Sequence, residues 1–229
     1  MAKDHLKRLA APKTWQIKRK TSKFVTKPAP GPHSIGLAMP LNTIMKELLG
    51  YAQTTREVKK IINTGCVKVD GRPRKDFRYP VGVFDTLEFT STGEHFRALI
   101  DKKGRLTMIK SGKSESSAKP CKITGKTMVR GKMQLNLYDG KNILVDKGTF
   151  NVGDTIMISL PDQKISKHLK LEKKSTIFLI GGKHMGETGI VGDIIQNKII
   201  YKDNSGNLVE TSKKYAFVIG DSKPLIALE

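Results

Sequence analysis

The stretch TTREVKKIINTGCVKVDGRPRK, residues 54–75, constrains the fold more than any other part of the chain. Thr54 and Glu57 have the Thr-x-x-Glu spacing of a capping box, in which each side chain satisfies a backbone N–H that the first helical turn leaves without a partner. A helix therefore starts here, and Gly65 stops it. Val58, Ile61 and Ile62 make one face; Arg56, Lys59, Lys60 and Asn63 repeat the i, i+3, i+4, i+7 spacing on the opposite face, where core packing has no use for three cations. CVKVDGRP then alternates as a strand, with Asp70-Gly71 as a type I′ hairpin turn that delivers Arg72, Arg74 and Lys75 just beyond it. Helix and hairpin present charge together. A surface helix that only keeps a protein soluble interleaves Glu with Lys, and this face does not.

That imbalance runs through the chain. Its 229 residues suffice for one large domain or two to four small ones, and 38% hydrophobic content still supports folded cores. Forty-two Lys and Arg face twenty-one Asp and Glu, a formal net charge of +21, so the chain repels itself until an anion neutralises it. Nucleic acid is the expected partner, ahead of an acidic protein or an anionic membrane, because cations in two-to-one excess gain affinity by releasing counterions from a phosphate backbone. No run of about 18 apolar residues marks a spanning helix. The N-terminal MAKDHLKRLAAPKTW lacks the apolar core of a secretory signal, and Cys66 and Cys121 offer neither a disulfide framework nor CxxC spacing, so a reducing, cytoplasmic setting is expected.

Four regions and a tail follow along the chain. Residues 1–40 form a basic N-terminal extension with Lys3, Lys7, Arg8, Lys13, Lys18, Arg19, Lys20, Lys23 and Lys27 around a single Trp15. In KPAPGPHSIG, Pro28, Pro30 and Pro32 deny the backbone regular structure, and the whole reads as a solubilising tail or an arm that orders on RNA, with Trp15 free to stack or to anchor the arm on its own fold. Residues 41–90 hold two helices and strands. In PLNTIMKELLG, the residues Ile44, Met45, Leu48 and Leu49 share a stripe, Asn42 or Thr43 can cap the start, and Gly50 can end the helix. Residues 91–172 read as a central, mostly antiparallel β domain: HFRALIDKKGRLTMIK turns at Lys-Gly, MQLNLYDGKNILV turns at Asp139-Gly140, VGDTIMISL alternates, and KSGKSESSAKP is a polar loop. Residues 173–210 carry an apolar strand, then Gly182, Gly186 and Gly189, then a return strand; 211–229 read as a C-terminal tail.

The run TREVKKIINTGCVKVDGRPRKDFRYPVGVFDTLEF, with its basic helix, Gly stop, Val-x-Val, turn Gly and following basic residues, resembles the S-four-type RNA-binding fold. HLKRLAAPKTW and GPHSIGLAMPL upstream resemble the N-terminal signature of the archaeal and eukaryotic small-subunit ribosomal protein family called S-four-e. The end of the chain soon after YAFVIGDSKPLIALE is closer to the archaeal form. The resemblance implies a multi-module α+β chain: a basic N-terminal extension, a small S-four-type αβ module, the family's central β domain and a KOW-type small β-barrel at STIFLIGGKHMGETGIVGDI. At that last turn Met185, Glu187 and Ile190 stand where ribosomal KOW modules often carry Lys, leaving Lys183 and His184 as weaker contacts.

The function expected is a structural constituent of the small ribosomal subunit. It would take part in translation and hold folded rRNA through phosphate contacts from Arg56, Lys59, Lys60, Arg72, Arg74 and Lys75, with Lys7, Arg8, Lys13, Lys18, Arg19 and Lys20 reaching from the arm. Partners are small-subunit rRNA and neighbouring small-subunit proteins, with no membrane and no small-molecule substrate. Two other classes share these modules: an RNA-modification enzyme or its accessory subunit, and a KOW-containing transcription or translation factor. Pseudouridine synthases with S-four-type modules need Asp after Gly-Arg-Leu, and here Gly104-Arg105-Leu106 is followed by Thr107. Gly112-Lys113-Ser114 and Gly125-Lys126-Thr127 lack the first glycine of a P-loop, that place being Thr107 in one case and Pro120 in the other. His5, His33, His95, His168 and His184 are scattered without metal spacing, so neither catalysis, metal nor cofactor is expected.

Overall fold

The computed structural model describes residues 5–146, 148–221 and 224–228, so Lys3 of the arm lies outside the described residues. The chain divides into two compact units, Met1–Ser117 and Ala118–Glu229. It is an α+β protein dominated by antiparallel strands.

In the first unit, β1 (Leu6–Lys7) pairs with β2 (Phe24–Val25), and a 3-10 turn at Arg8–Ala10 follows β1. β3 (Ala38–Pro40) leads into α1 (Leu41–Thr43), which continues as a π-helical turn over Ile44–Leu48, closed by the Leu49 N–H donating to the Ile44 carbonyl at 3.0 Å. Pro40 takes the N-cap position, and Asn42, expected as a possible cap, is buried inside the helix, where its amide donates to the Thr26 and Thr55 hydroxyls. Thr43 makes no cap either, since the turn starts two residues earlier at Leu41. α2 (Thr55–Asn63) has the capping box in full: the Glu57 N–H donates to Thr54 Oγ1 and the Thr54 N–H to Glu57 Oε2. Val58 and Ile62 are fully buried, each worth roughly 1.5–3 kcal/mol of transfer free energy.

A five-strand antiparallel sheet completes the unit, in the order β5-β4-β7-β8-β9, from β4 (Val67–Val69), β5 (Arg72–Pro73), β7 (Thr86–Phe89), β8 (Glu94–Ile100) and β9 (Leu106–Lys110); β6 (Pro80–Gly82) pairs instead with β3. Asp70 and Gly71 both have positive φ, 52° and 72°, as a type I′ turn between β4 and β5 requires. Tyr51, Phe89 and Phe96 meet edge to face, with Tyr51 and Phe89 centroids 4.6 Å apart. The polar loop expected after β9 holds one short helix, α3 (Lys113–Ser116).

From His5 onward the extension is folded onto this unit, and residues 26–37, which include Pro28, Pro30 and Pro32, form neither helix nor strand, as the prolines dictate. Trp15 is 2% exposed and its indole N–H donates to the Ala38 carbonyl at 2.8 Å, while its backbone bridges to Leu106. Of the two roles left open for Trp15, the structure has the anchor. The division expected at 90/91 falls inside the β7–β8 hairpin, where Phe89 pairs with Glu94, so the 94–110 strands sit in the first unit's sheet.

In the second unit, β10 (Ala118–Val129) is long enough to serve two partners. Its first half pairs with β13 (Thr155–Ser159) and its second with β11 (Lys132–Leu137), with a register shift between Ile123 and Gly125. β12 (Asn142–Val145) and β14 (Ile165–Leu169) close the order β12-β11-β10-β13-β14. Cys121, Ile123, Leu135, Leu137, Ile156 and Ile158 form the core. Asp139, buried at the β11–β12 turn, lies 3.3 Å from Lys119 and 2.9 Å from Lys141; burial pushes its carboxyl up, but the two lysines outweigh this and hold it below the ordinary value. The strand expected to alternate, at VGDTIMISL, is buried from Thr155 through Ile158: Ile156 and Ile158 belong to the core, and Thr155 accepts from the Val218 N–H of the neighbouring sheet.

That neighbouring sheet has the order β18-β17-β16-β15-β19, from β15 (Thr176–Leu179), β16 (Thr188–Ile195), β17 (Lys198–Asp203), β18 (Leu208–Ser212) and β19 (Ala216–Gly220). Within the stretch expected as a C-terminal tail, Ala216–Gly220 form β19, which is buried at all five positions and pairs with β15. A continuous apolar run, AFVI, signalled this in the sequence. In the β15–β16 connection Gly182 and Gly186 take positive φ, whereas a Cβ on Gly189 would fall 2.4 Å from the Tyr201 ring.

Candidate nucleic-acid interface

α2 is amphipathic in the way its spacing dictates: with Val58 and Ile62 turned in, Arg56, Lys59 and Lys60 are exposed on the other side. The type I′ turn brings Arg72 and Lys75 out exposed, while Arg74 is half-buried, its guanidinium 4.3 Å from the Tyr79 ring. Lys59 Nζ lies 4.5 Å from the Phe77 ring, so the helix face and the segment following β5 are joined by direct contact. That segment is fixed in turn to α1, whose Leu41 and Asn42 N–H groups donate to the carbonyls of Tyr79 and Phe77, both at 2.9 Å.

Among the described residues none of these six cations forms an ion pair. Other cations of the same unit do: Lys68 lies 3.3 Å from Glu88 and Lys110 3.0 Å from Glu94. The one carboxylate on α2, Glu57, is held below its ordinary value by the Gln53 N–H, then by the Thr54 hydroxyl and N–H, so it is committed to the cap. Residues 1–117 carry 24 Lys and Arg against 10 Asp and Glu; residues 118–229 carry 18 against 11.

The arm's cations separate into two kinds. Lys7, Lys13, Lys18 and Lys20 are exposed. Arg8 is 8% exposed, paired with Glu47 and donating to the Ser22 hydroxyl and the Lys18 carbonyl, both at 2.8 Å. Arg19 donates to the carbonyls of Ala11 and Pro12, both at 2.8 Å. These two arginines hold the arm in shape, their guanidinium groups donating within the protein. Two further cations, the half-exposed Lys46 and the exposed Arg105, lie near the arm; neither stands out in the sequence, because what brings them there is the packing of the π-helical turn and of the β8–β9 turn against the extension, contacts between residues far apart in the chain.

At the β15–β16 connection Lys183 is exposed, but His184 Nδ1 lies 3.0 Å from Glu187, which also accepts from the Tyr201 hydroxyl. Among the described residues no helix is long and apolar enough to cross a membrane, and no cluster of His, Cys, Asp and Glu could hold a metal ion.

Three family models match in sequence along the chain: the RS4NT domain over residues 2–36, the S4 domain over 39–87 and ribosomal family S4e over 92–165. Among curated relatives, the small ribosomal subunit protein eS4 of Methanococcus aeolicus is 40% identical, covering 98% of this chain and 97% of its own length. The protein of the same name from Methanocaldococcus jannaschii is 39% identical over 99% of this chain and 98% of its own. The crystal structure of the 30S ribosomal protein S4e from Thermoplasma acidophilum superposes with a TM-score of 0.71 at 29% identity, covering 81% of this chain and 96% of that one. With identity of this order sustained over nearly its whole length, the chain belongs to ribosomal family S4e.

Proposed function

We propose that the chain is a structural constituent of the small ribosomal subunit, in the cytoplasm, that binds folded rRNA and performs no catalysis. The observation carrying this is the α2 face and following hairpin, whose Arg56, Lys59, Lys60, Arg72, Arg74 and Lys75 have no carboxylate partner among the described residues, in a family named for the ribosome. Exposed cations at fixed spacings suit an A-form backbone, whose deep groove hides base edges and leaves phosphates and ribose hydroxyls as the readable features. Lys7, Lys13, Lys18 and Lys20 add contacts from the folded extension, while residues 173–210 serve as a KOW-type module that contributes Lys183 at most. Neighbouring small-subunit proteins are the remaining partners. Relatives named as small-subunit proteins favour this reading over an RNA-modification enzyme or a cycling factor.

The triple variant Arg56→Gln, Lys59→Gln, Lys60→Gln tests it. RNA affinity should fall and the slope of log affinity against log salt should flatten by about three, one for each phosphate no longer neutralised, with cooperative unfolding preserved. Unchanged RNA affinity would remove the helix face from the interface; loss of the protein from salt-washed small subunits in the wild type would remove the structural role.

A further inference from the structure

Building on the RNA-binding role above, we propose a second site in the first unit: a cavity of about 640 Å³ between the extension, the π-helical turn and the β8–β9 connection, which receives one nucleotide of the bound RNA with its flanking phosphates. Its volume is in the range of pockets that enclose a small molecule, yet its lining is the reverse of the usual apolar one. Lys13 and Lys18 reach it from the extension, Lys46 from the π-helical turn and Arg105 from the connection before β9. Among the described residues none of these four is in an ion pair. The single carboxylate in the lining, Glu47, is occupied by Arg8, which takes both of its oxygens.

Three separate stretches of chain therefore bring positive charge to one hollow and neutralise its only negative charge internally. The convergence is held in place by two contacts of the extension. Arg8 ties the extension to the π-helical turn, and the Leu106 N–H donating to the Thr14 carbonyl at 2.8 Å sets Arg105 beside the extension. Trp15 contributes wall and not a stacking platform, because it is buried and its indole N–H is committed to Ala38. The side-chain amides of Gln16 and Gln53, exposed at the same hollow, can donate and accept, as ribose hydroxyls and base edges require. The chemistry recognised is phosphorylated ribose, which an RNA strand or a free mononucleotide could supply.

Binding of the full-length protein to a small-subunit rRNA transcript separates these outcomes. The pair Lys46→Gln, Arg105→Gln should weaken binding on the order of tenfold and flatten the salt slope by about two, with the unfolding midpoint unchanged. The pair Lys13→Gln, Lys18→Gln, on the exposed extension, should do the same and decides the matter if the first pair unfolds. Full RNA affinity in a folded pair, with the α2 triple variant still impaired, overturns the cavity and leaves the RNA-binding role intact. Absence of RNA binding by the wild type overturns both. Adenosine monophosphate supplies the second arm: if it binds the wild type but not the pair, while RNA affinity is the same in both, the occupant is a free nucleotide and the RNA assignment is overturned.

Discussion

Lys122 places an ammonium where solvent hardly reaches. Its Nζ donates to the carbonyls of Lys213, Lys214 and Ala216 at 2.8, 3.0 and 2.7 Å, which stitches β10 to the stretch entering β19. Burial, with Lys213 adding repulsion, pulls its pKa from 10.5 down to about 8. Between those values the unfolded chain keeps a proton that the folded chain has released, so protonation favours unfolding and stability rises with pH across that window. Urea unfolding of wild type and Lys122→Met should therefore diverge, with the wild type gaining on the variant from about pH 8 to about pH 10. A constant gap would mean that the amine titrates normally. Individual cations also mark the limit of what sequence conveys. Arg8 and Arg19 are as basic in the sequence as Lys18 and Lys20, and only the folded arm separates those filled by Glu47 and backbone carbonyls from those facing water.

α2 was legible because every signal in it is local: cap, opposed faces and Gly stop all lie within twelve residues, and the structure uses each. Replacing Thr54 with Ala removes the acceptor for the Glu57 N–H and should cost about 1 kcal/mol, read as a lower urea midpoint, with RNA affinity falling only modestly because the three outward cations remain. A collapse of RNA binding would mean that Thr54 itself touches RNA. Since the Glu57 carboxyl titrates below its ordinary value, the cap is intact above that value and is lost as pH falls through the lower folded one. The Asp70-Gly71 hairpin was legible for the same reason. The π-helical turn after α1 was not, because its bond from Leu49 to Ile44 is imposed by packing and has no spacing of its own. Nor was the five-strand sheet, which crosses from the S4 segment into the S4e segment through the β7–β8 hairpin: family segments record descent, whereas strand pairing is decided by contacts far apart in the chain.

Charge is distributed unevenly between the two units, and that asymmetry predicts where the affinity resides. The net positive excess is 14 in residues 1–117 and 7 in 118–229. The second unit also spends its surface cations on its own acids: Lys132 pairs with Asp146 at 2.7 Å, Lys167 with Asp221 at 3.2 Å, Lys173 with Asp193 at 3.0 Å and Lys198 with Glu210 at 2.5 Å. Such exposed pairs add little stability, but each leaves one fewer uncompensated charge to attract a phosphate. If about six to ten phosphates are neutralised overall, log affinity for small-subunit rRNA should fall by several units per decade of salt. Removing Arg56, Lys59 and Lys60 should take about three from that slope, whereas changing Lys167, Lys173 and Lys198 to Gln should take clearly less, because their acids are left exposed to repel the RNA while few phosphates give up a neutralising cation. Equal reductions from the two triples would mean that the ion pairs open on binding and that both units grip the RNA alike. A slope near zero in the wild type would mean that counterion release is not what holds this protein to its RNA.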